Sequence, residues 1–221
     1  MYFDYFDASF FINLDVRVDR KILFEKRMSE LGFLIPRYNA ITINKEIVDS
    51  SNDLFKKDPR RNFKLACTLS HFEIIRMSKK NNWNNILIFE DDCIFINNFI
   101  EKIMICIKEL KKYPWNLFYM GGEPNKTVLP LTDNLRVCHP NGGIYGTHAY
   151  AINNTFYDRI LNLNPNDYPA IDHIYLHQEN RMYVLTKELL VTQDDKLVSD
   201  LWGGYVKRES QYERAYKSFV I

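Results

Sequence analysis

Asn84-Asn85-Ile86-Leu87-Ile88-Phe89-Glu90-Asp91-Asp92 is the stretch around which the rest of the chain is organised. Ile86, Leu87, Ile88 and Phe89 follow one another without a polar break, and three of them are β-branched or aromatic. Such a run predicts a strand buried on both faces, as in a parallel sheet. It stops at three consecutive carboxylates. Adjacent negative charges repel, and a core gives no reason for them; a cation or a cationic ligand is the usual compensation. Ligands also sit at the C-terminal ends of strands in open α/β sheets. The plainer alternative is an acidic turn that only caps the next element.

Working outward, the N-terminal side reads as a strand–helix–strand unit. Ala8 to Leu14 is an apolar strand ending in the polar turn Asp15-Val16-Arg17-Val18, and Asp19 suits a helix N-cap. Phe24, Met28 and Leu31 give the helix one apolar face, Gly32 suits its C-cap, and Arg37 to Ile43 is the next strand. This order favours a right-handed parallel crossover. Asn44 to Asn62, with Pro59 and the basic group Lys56, Lys57, Arg60 and Arg61, reads as a loop. Phe63 to Lys80 is a helix carrying Ser70-His71, which leads into the acidic strand.

On the C-terminal side, Cys93 to Ile96 is followed by a helix from Asn97 to Lys112 with a stripe at Phe99, Ile103, Cys106, Ile107 and Leu110. Strands are expected at Trp115–Met120, Leu135–Cys138, Ile144–Ile152, Met182–Leu185 and Leu189–Thr192, and helices at Thr155–Leu163 and Ile171–Asn180. The fold class expected is α/β, one domain over residues 1–221 with its core at about 8–200 and a polar, aromatic tail at 201–221.

Composition narrows the function classes. Lys+Arg at 29 against Asp+Glu at 28 gives a net charge of +1, so no global field argues for nucleic acid. Cys67, Cys93, Cys106 and Cys138 lack CxxC spacing and read as free thiols. No apolar run approaches a membrane span, and acids stand near the N-terminus where a signal peptide carries bases. A soluble, cytoplasmic protein without a transmembrane segment is the expectation.

Several separate pieces resemble one family. Phe11-Ile12-Asn13-Leu14-Asp15 with Arg17 and Asp19-Arg20, and then Arg37-Tyr38-Asn39-Ala40, resembles the opening of glycosyltransferase family 25. Ala66-Cys67-Thr68-Leu69-Ser70-His71 resembles its "GC-LSH" helix, and Ile88-Phe89-Glu90-Asp91-Asp92 its "LEDD" strand. Gly146 to Ile152 is similar to its "G-AY-I" strand, Ile171-Asp172 to its later acidic position, and Val191-Thr192-Gln193 with Ser199-Asp200 to its "Q…SD" stretch. The pieces fall in the family's order over residues 9 to 200. One departure is Asn62-Phe63-Lys64-Leu65, where the family often has Gly-Glu.

The resemblance implies a GT-A-like nucleotide-binding sandwich with a mainly parallel central sheet. It implies a hexosyltransferase of glycan biosynthesis that moves a sugar from a nucleotide sugar, expected to be a UDP-sugar, to a glycan or protein hydroxyl with inversion. It also implies a hard divalent cation, Mn²⁺ or Mg²⁺, on the donor diphosphate. Strand alternation puts Glu90 and Asp92 on one side and Asp91 on the other. Asp92 is then the expected metal ligand, Asp91 a ligand or ribose contact, and Glu90 a third ligand or a buried structural acid. Asn13, Arg17 and Arg20 are candidate donor contacts, as are His71 and Gln193. Asp172 is the first candidate for general base, with Asp200 and Asp195 as rivals; the plain alternative is that Asp172 caps its helix. His173 and His177 share one helix face, but no third ligand has zinc spacing, and a solvated face is the reading adopted.

Two other functions compete. A nucleotidyltransferase would carry a glycine-rich loop near the N-terminus, and Asn13-Leu14-Asp15-Val16-Arg17 has no glycine. A transferase-like domain that has lost catalysis and serves as a binding module is the other. Intact Glu90-Asp91-Asp92, Asp172 and Gln193 count against it.

Overall fold

Strand β3 (Asn85–Glu90) is buried on both faces, and no surface of Ile86, Leu87, Ile88 or Phe89 reaches solvent. The computed structural model describes residues 4–44 and 59–197. Asp200, Lys56, Lys57 and the aromatic tail lie outside the described residues. β3 pairs in parallel with β1 (Ala8–Asn13), which pairs in parallel with β2 (Arg37–Asn39) on its other side. Helix α1 (Val18–Glu30) makes the crossover between β1 and β2 that the sequence predicts.

Further strands are β5 (Leu117–Tyr119), β7 (Val128–Pro130), β8 (Leu135–Cys138), β10 (Ala149–Asn153) and β11 (Tyr183–Thr186). They extend one eight-stranded sheet in the order β2-β1-β3-β10-β5-β11-β8-β7. β8 and β10 run against the other strands. The sheet is therefore mixed in its ladders and mainly parallel in strand direction.

Side chains alternate across the sheet into two cores. Leu87 and Phe89 join Phe11, Phe24 and Met28 of α1 and the stripe Phe99, Ile103, Cys106, Ile107 and Leu110 of α3 (Phe99–Leu110). Ile86 and Ile88 join Phe72, Ile74 and Ile75 of α2 (Pro59–Lys80). Ile160 of α4 (Tyr157–Leu161) and Ile174 of α5 (Ile171–Leu176) pack on that same side. The result is the three-layer α/β sandwich expected, with helices on both faces. Truncating one of the buried Leu, Ile, Met or Phe side chains among these to alanine costs about 2–5 kcal/mol.

Several boundaries differ from expectation for identifiable reasons. α2 begins at Pro59, four residues earlier than predicted, because proline is tolerated in a helix's first turn. α1 has Arg17 as its N-cap, and Asp19 lies within the first turn, bound by the Arg17 guanidinium at 3.0 and 3.1 Å. The strand predicted over Ile144–Ile152 divides into β9 (Ile144–Tyr145) and β10, broken at Gly146, whose φ of 84° is a left-handed conformation. The turn-rich stretch 123–134 holds β6 (Glu123–Pro124), which pairs with β9, and β7.

Candidate active site at the acidic turn

β3 ends at Glu90, and Asp91 and Asp92 form the turn into β4 (Cys93–Phe95). Strand alternation therefore does not reach Asp91 and Asp92, and the expectation that it puts Glu90 and Asp92 on one side and Asp91 on the other does not apply. All three carboxylates line a single cavity of about 580 Å³ at the C-terminal ends of β1 and β3. Register explains this: Ile12 of β1 lies opposite Glu90, and Asn13 lies opposite Asn39 of β2. The rest of the lining is mainly apolar, from Ile12, Leu14, Val16 and Ile41 to Phe63 and Ala66 of α2, with Thr42, Asn62 and Ser70 as polar members.

The three acids have different surroundings. Asp91 is buried, with one carboxylate oxygen accepting from Arg20 Nη1 at 2.9 Å and the other from Asn13 Nδ2 at 2.7 Å. Burial pushes its pKa above the ordinary carboxylate value, against the pull of the Arg20 charge. Arg37 Nε donates to the Asn13 side-chain oxygen at 2.8 Å and so orients that amide. Arg37 also binds Asp15, whose pKa it holds below the usual range together with Asn39.

Asp92 is half-buried and accepts from Gln193 Nε2 at 3.2 and 3.4 Å. β12 (Val191–Gln193) brings that amide in by pairing antiparallel with β4, Gln193 opposite Cys93. Asp194 next to it donates its backbone N–H to the Asp92 carbonyl at 2.7 Å, and its carboxylate pairs with Arg27 of α1. Gly121 lets β12 come this close: a Cβ there would stand 2.3 Å from the Val191 carbonyl and from His148 Nε2.

Glu90 accepts from Thr147 Oγ1 at 2.9 Å, and His71 Nε2 stands 3.8 Å from the same oxygen. His71 is wholly buried in α2, and burial lowers its pKa to about 3, so the ring is neutral. Its Nδ1 is 3.0 Å from the Tyr150 hydroxyl, itself 2.9 Å from the Tyr175 hydroxyl. Asp172 sits on the far side of the same loop. Its carboxylate accepts from the Gly146 N–H at 3.2 Å, one residue before Thr147, and from the His173 N–H at 2.9 Å. Ala170, not Asp172, is the N-cap of α5.

Most of the predicted site residues are thus brought together. Asn13, Arg20, Asp91, Asp92, Glu90 and Gln193 line the cavity, with His71 directly behind Glu90. Arg17 is not among the lining residues and binds Asp19; Asp172 reaches the site only through Gly146. Arg20 and Asn13 both hold Asp91, and the Asn13 amide also donates to the Arg17 carbonyl at 3.0 Å. Thr147, Tyr150, Tyr175 and Arg37 carry contacts that sequence reasoning did not assign. For Thr147, Tyr150 and Arg37 the signal was position within motifs noted for other residues; Tyr175 had none beyond its place in a predicted helix.

The family model described as Glycosyltransferase family 25 (LPS biosynthesis protein) matches residues 6–175. Procollagen galactosyltransferase 1-A of Xenopus laevis is 27% identical, over 72% of this chain and 29% of its own length. Procollagen galactosyltransferase 2 of Mus musculus is 24% identical, over 72% of this chain and 28% of its own. The chain therefore spans less than a third of the length of these curated relatives. Among solved structures, a glycosyltransferase involved in glycosylation of the major capsid of PBCV-1 aligns over 96% of this chain and 92% of its own, at 10% identity and a TM-score of 0.44.

Proposed function

This chain belongs to glycosyltransferase family 25, and on that premise we propose that it transfers a sugar from a nucleotide-sugar donor, a UDP-sugar, to a hydroxyl of a glycan or protein acceptor with inversion. The observation that carries this reading is Asp92. It is a carboxylate on the wall of a mainly apolar cavity, and its described side-chain partner is one neutral amide. The cavity's size suits a nucleoside diphosphate.

A hard divalent cation, Mn²⁺ or Mg²⁺, fits the oxygen of Asp92, with Glu90 and Asp91 as neighbours on the same wall. When bound it supplies neutralisation of the charge that develops on the departing diphosphate. Gln193 holds Asp92 in place, and Asn13 and Arg20 act through Asp91 by fixing the turn. The apolar side chains of Ile12 and Leu14 on the cavity wall receive the base.

Asp172 is the general base. It takes the proton of the acceptor hydroxyl as that oxygen bonds to the anomeric carbon, while the bond from that carbon to the diphosphate oxygen breaks on the opposite face. Two contacts keep the carboxylate in place for this, the N–H groups of Gly146 and His173. The relatives' names make UDP-galactose the first donor to try. The test is UDP release from UDP-galactose with Mn²⁺ and a procollagen-type or glycan acceptor, in wild type and Asp92→Asn. Acceptor-dependent release that Asp92→Asn abolishes supports the reading. Nucleotide binding without release from any nucleotide sugar favours the non-catalytic binding module instead.

A further inference from the structure

We propose that Cys67, His71 and Glu90 form a second cation site, for a soft divalent ion of the Zn²⁺ type, separate from the hard-cation site at Asp92. Cys67 and His71 are one turn apart on α2 and so project from the same helix face. Glu90 reaches that face from the end of β3. The thiol sulfur, a ring nitrogen and a carboxylate oxygen all lie within 4.8 Å of one another.

The second observation is His71 Nε2. The ring is 0% exposed, and this nitrogen has no hydrogen-bond partner. Leaving a buried polar atom unsatisfied costs about 1–3 kcal/mol. The nearest acidic oxygen, Glu90 Oε1, is 3.8 Å away, too far for a hydrogen bond. It is close to the separation a shared cation would impose. With bonds of about 2.0–2.2 Å to nitrogen and oxygen, donors around tetrahedral zinc stand roughly 3.3–3.6 Å apart.

The surroundings fit ligation as well. Metal-bound histidines commonly use the other ring nitrogen in a hydrogen bond that fixes the tautomer. His71 Nδ1 has that bond, to the Tyr150 hydroxyl backed by Tyr175. Glu90 is likewise held, by Thr147 Oγ1. One thiolate, one imidazole and one carboxylate select a borderline-soft ion over Mn²⁺ or Mg²⁺, which prefer all-oxygen sets. Cys67 and Glu90 both line the cavity, so the fourth position opens towards it. On binding, the metal–sulfur bond forms and the Cys67 proton leaves to solvent. Three protein ligands with an open fourth position is the arrangement of zinc sites that hold a water or a substrate atom.

The test uses Co²⁺ as a spectroscopic probe and Zn²⁺ for content, with metal-stripped full-length protein. One Co²⁺ per chain should bind with a thiolate-to-cobalt charge-transfer band, and Zn²⁺ should displace it. Cys67→Ser, nearly isosteric, should abolish the band; Glu90→Gln should weaken Co²⁺ binding roughly tenfold to a hundredfold. Asp92→Asn should leave the band intact, which separates this site from the one proposed for the donor. Melting curves of each variant establish that it folds. No thiolate band in the wild type, a band that survives Cys67→Ser, or Co²⁺ affinity unchanged by Glu90→Gln each overturns the proposal.

Discussion

Asp91 and Asp92 are neighbours in one turn, yet they face opposite situations. Asp91 is the closed one: it too lines the cavity, but it is buried, and Arg20 and Asn13 occupy its two oxygens. Asp92 lies on an open side, half-buried on the cavity wall with the Gln193 amide beside it. The difference teaches that a run of acids is not a single ligand set. One acid is consumed in holding the turn, and its neighbour is thereby left available for chemistry. A desolvated pair such as Arg20–Asp91 adds little net stability over apolar packing, but removing one partner leaves a buried charge alone.

If the open side extends through Gly146 to Asp172, then Asp172→Asn lowers the chemical step by about 10²–10⁴-fold while donor affinity barely moves. Single-turnover transfer with saturating donor and acceptor checks this. Near-normal turnover would confine the open side to Asp92 and pass the base to Asp195 or Asp200. On the closed side, Arg20→Ala should destabilise the fold by about 3–5 kcal/mol, because a buried carboxylate loses its counter-charge. Urea denaturation measures it. A loss no larger than that of an exposed pair would erase the distinction between the two acids.

How far this contrast was legible in the sequence depended on how local its causes are. Ile86–Phe89 identified the strand because four contiguous apolar residues need a two-sided core, and β3 has one. That Asp91 would be buried was not legible. Strand alternation applies only while the strand lasts, and the fates of Asp91 and Asp92 are set by side chains 71 and 101 positions away. His71 was noted beside the acidic strand, but its partner Tyr150 is 79 residues distant, and nothing local announces a buried tyrosine pair. Pro59 misled as a loop signal, since proline is tolerated at the start of a helix that it would break further in.

His71 lies behind the open side and extends the comparison to pH. Its folded-state pKa, about 3, is below the ordinary 6.5, so below pH 6.5 the unfolded chain takes up a proton that the folded one refuses. Stability from this group is therefore complete above 6.5 and falls as pH drops towards 3. With a chelator present, wild type should lose about 2 kcal/mol more than His71→Gln between roughly pH 7 and pH 5. Equal losses in denaturant titrations at the two pH values would mean that the ring is not held neutral. The smallest effect is expected from Gln193→Ala, under about 1 kcal/mol in stability, since it removes one hydrogen bond from a half-buried acid. It should still weaken Mn²⁺-dependent nucleotide binding several-fold, through loss of Asp92's orientation; unchanged binding would show that Asp92 needs no such support.

The division of labour between the two acids comes down to whether Asp92 holds a cation for the donor. Calorimetric titration of UDP into wild type and Asp92→Asn, each with and without Mn²⁺, reads this out without needing the acceptor. Mn²⁺ should tighten UDP binding at least about tenfold in the wild type, and Asp92→Asn should lose that gain while melting as the wild type does. Equal UDP affinity with and without Mn²⁺ in the wild type would contradict it.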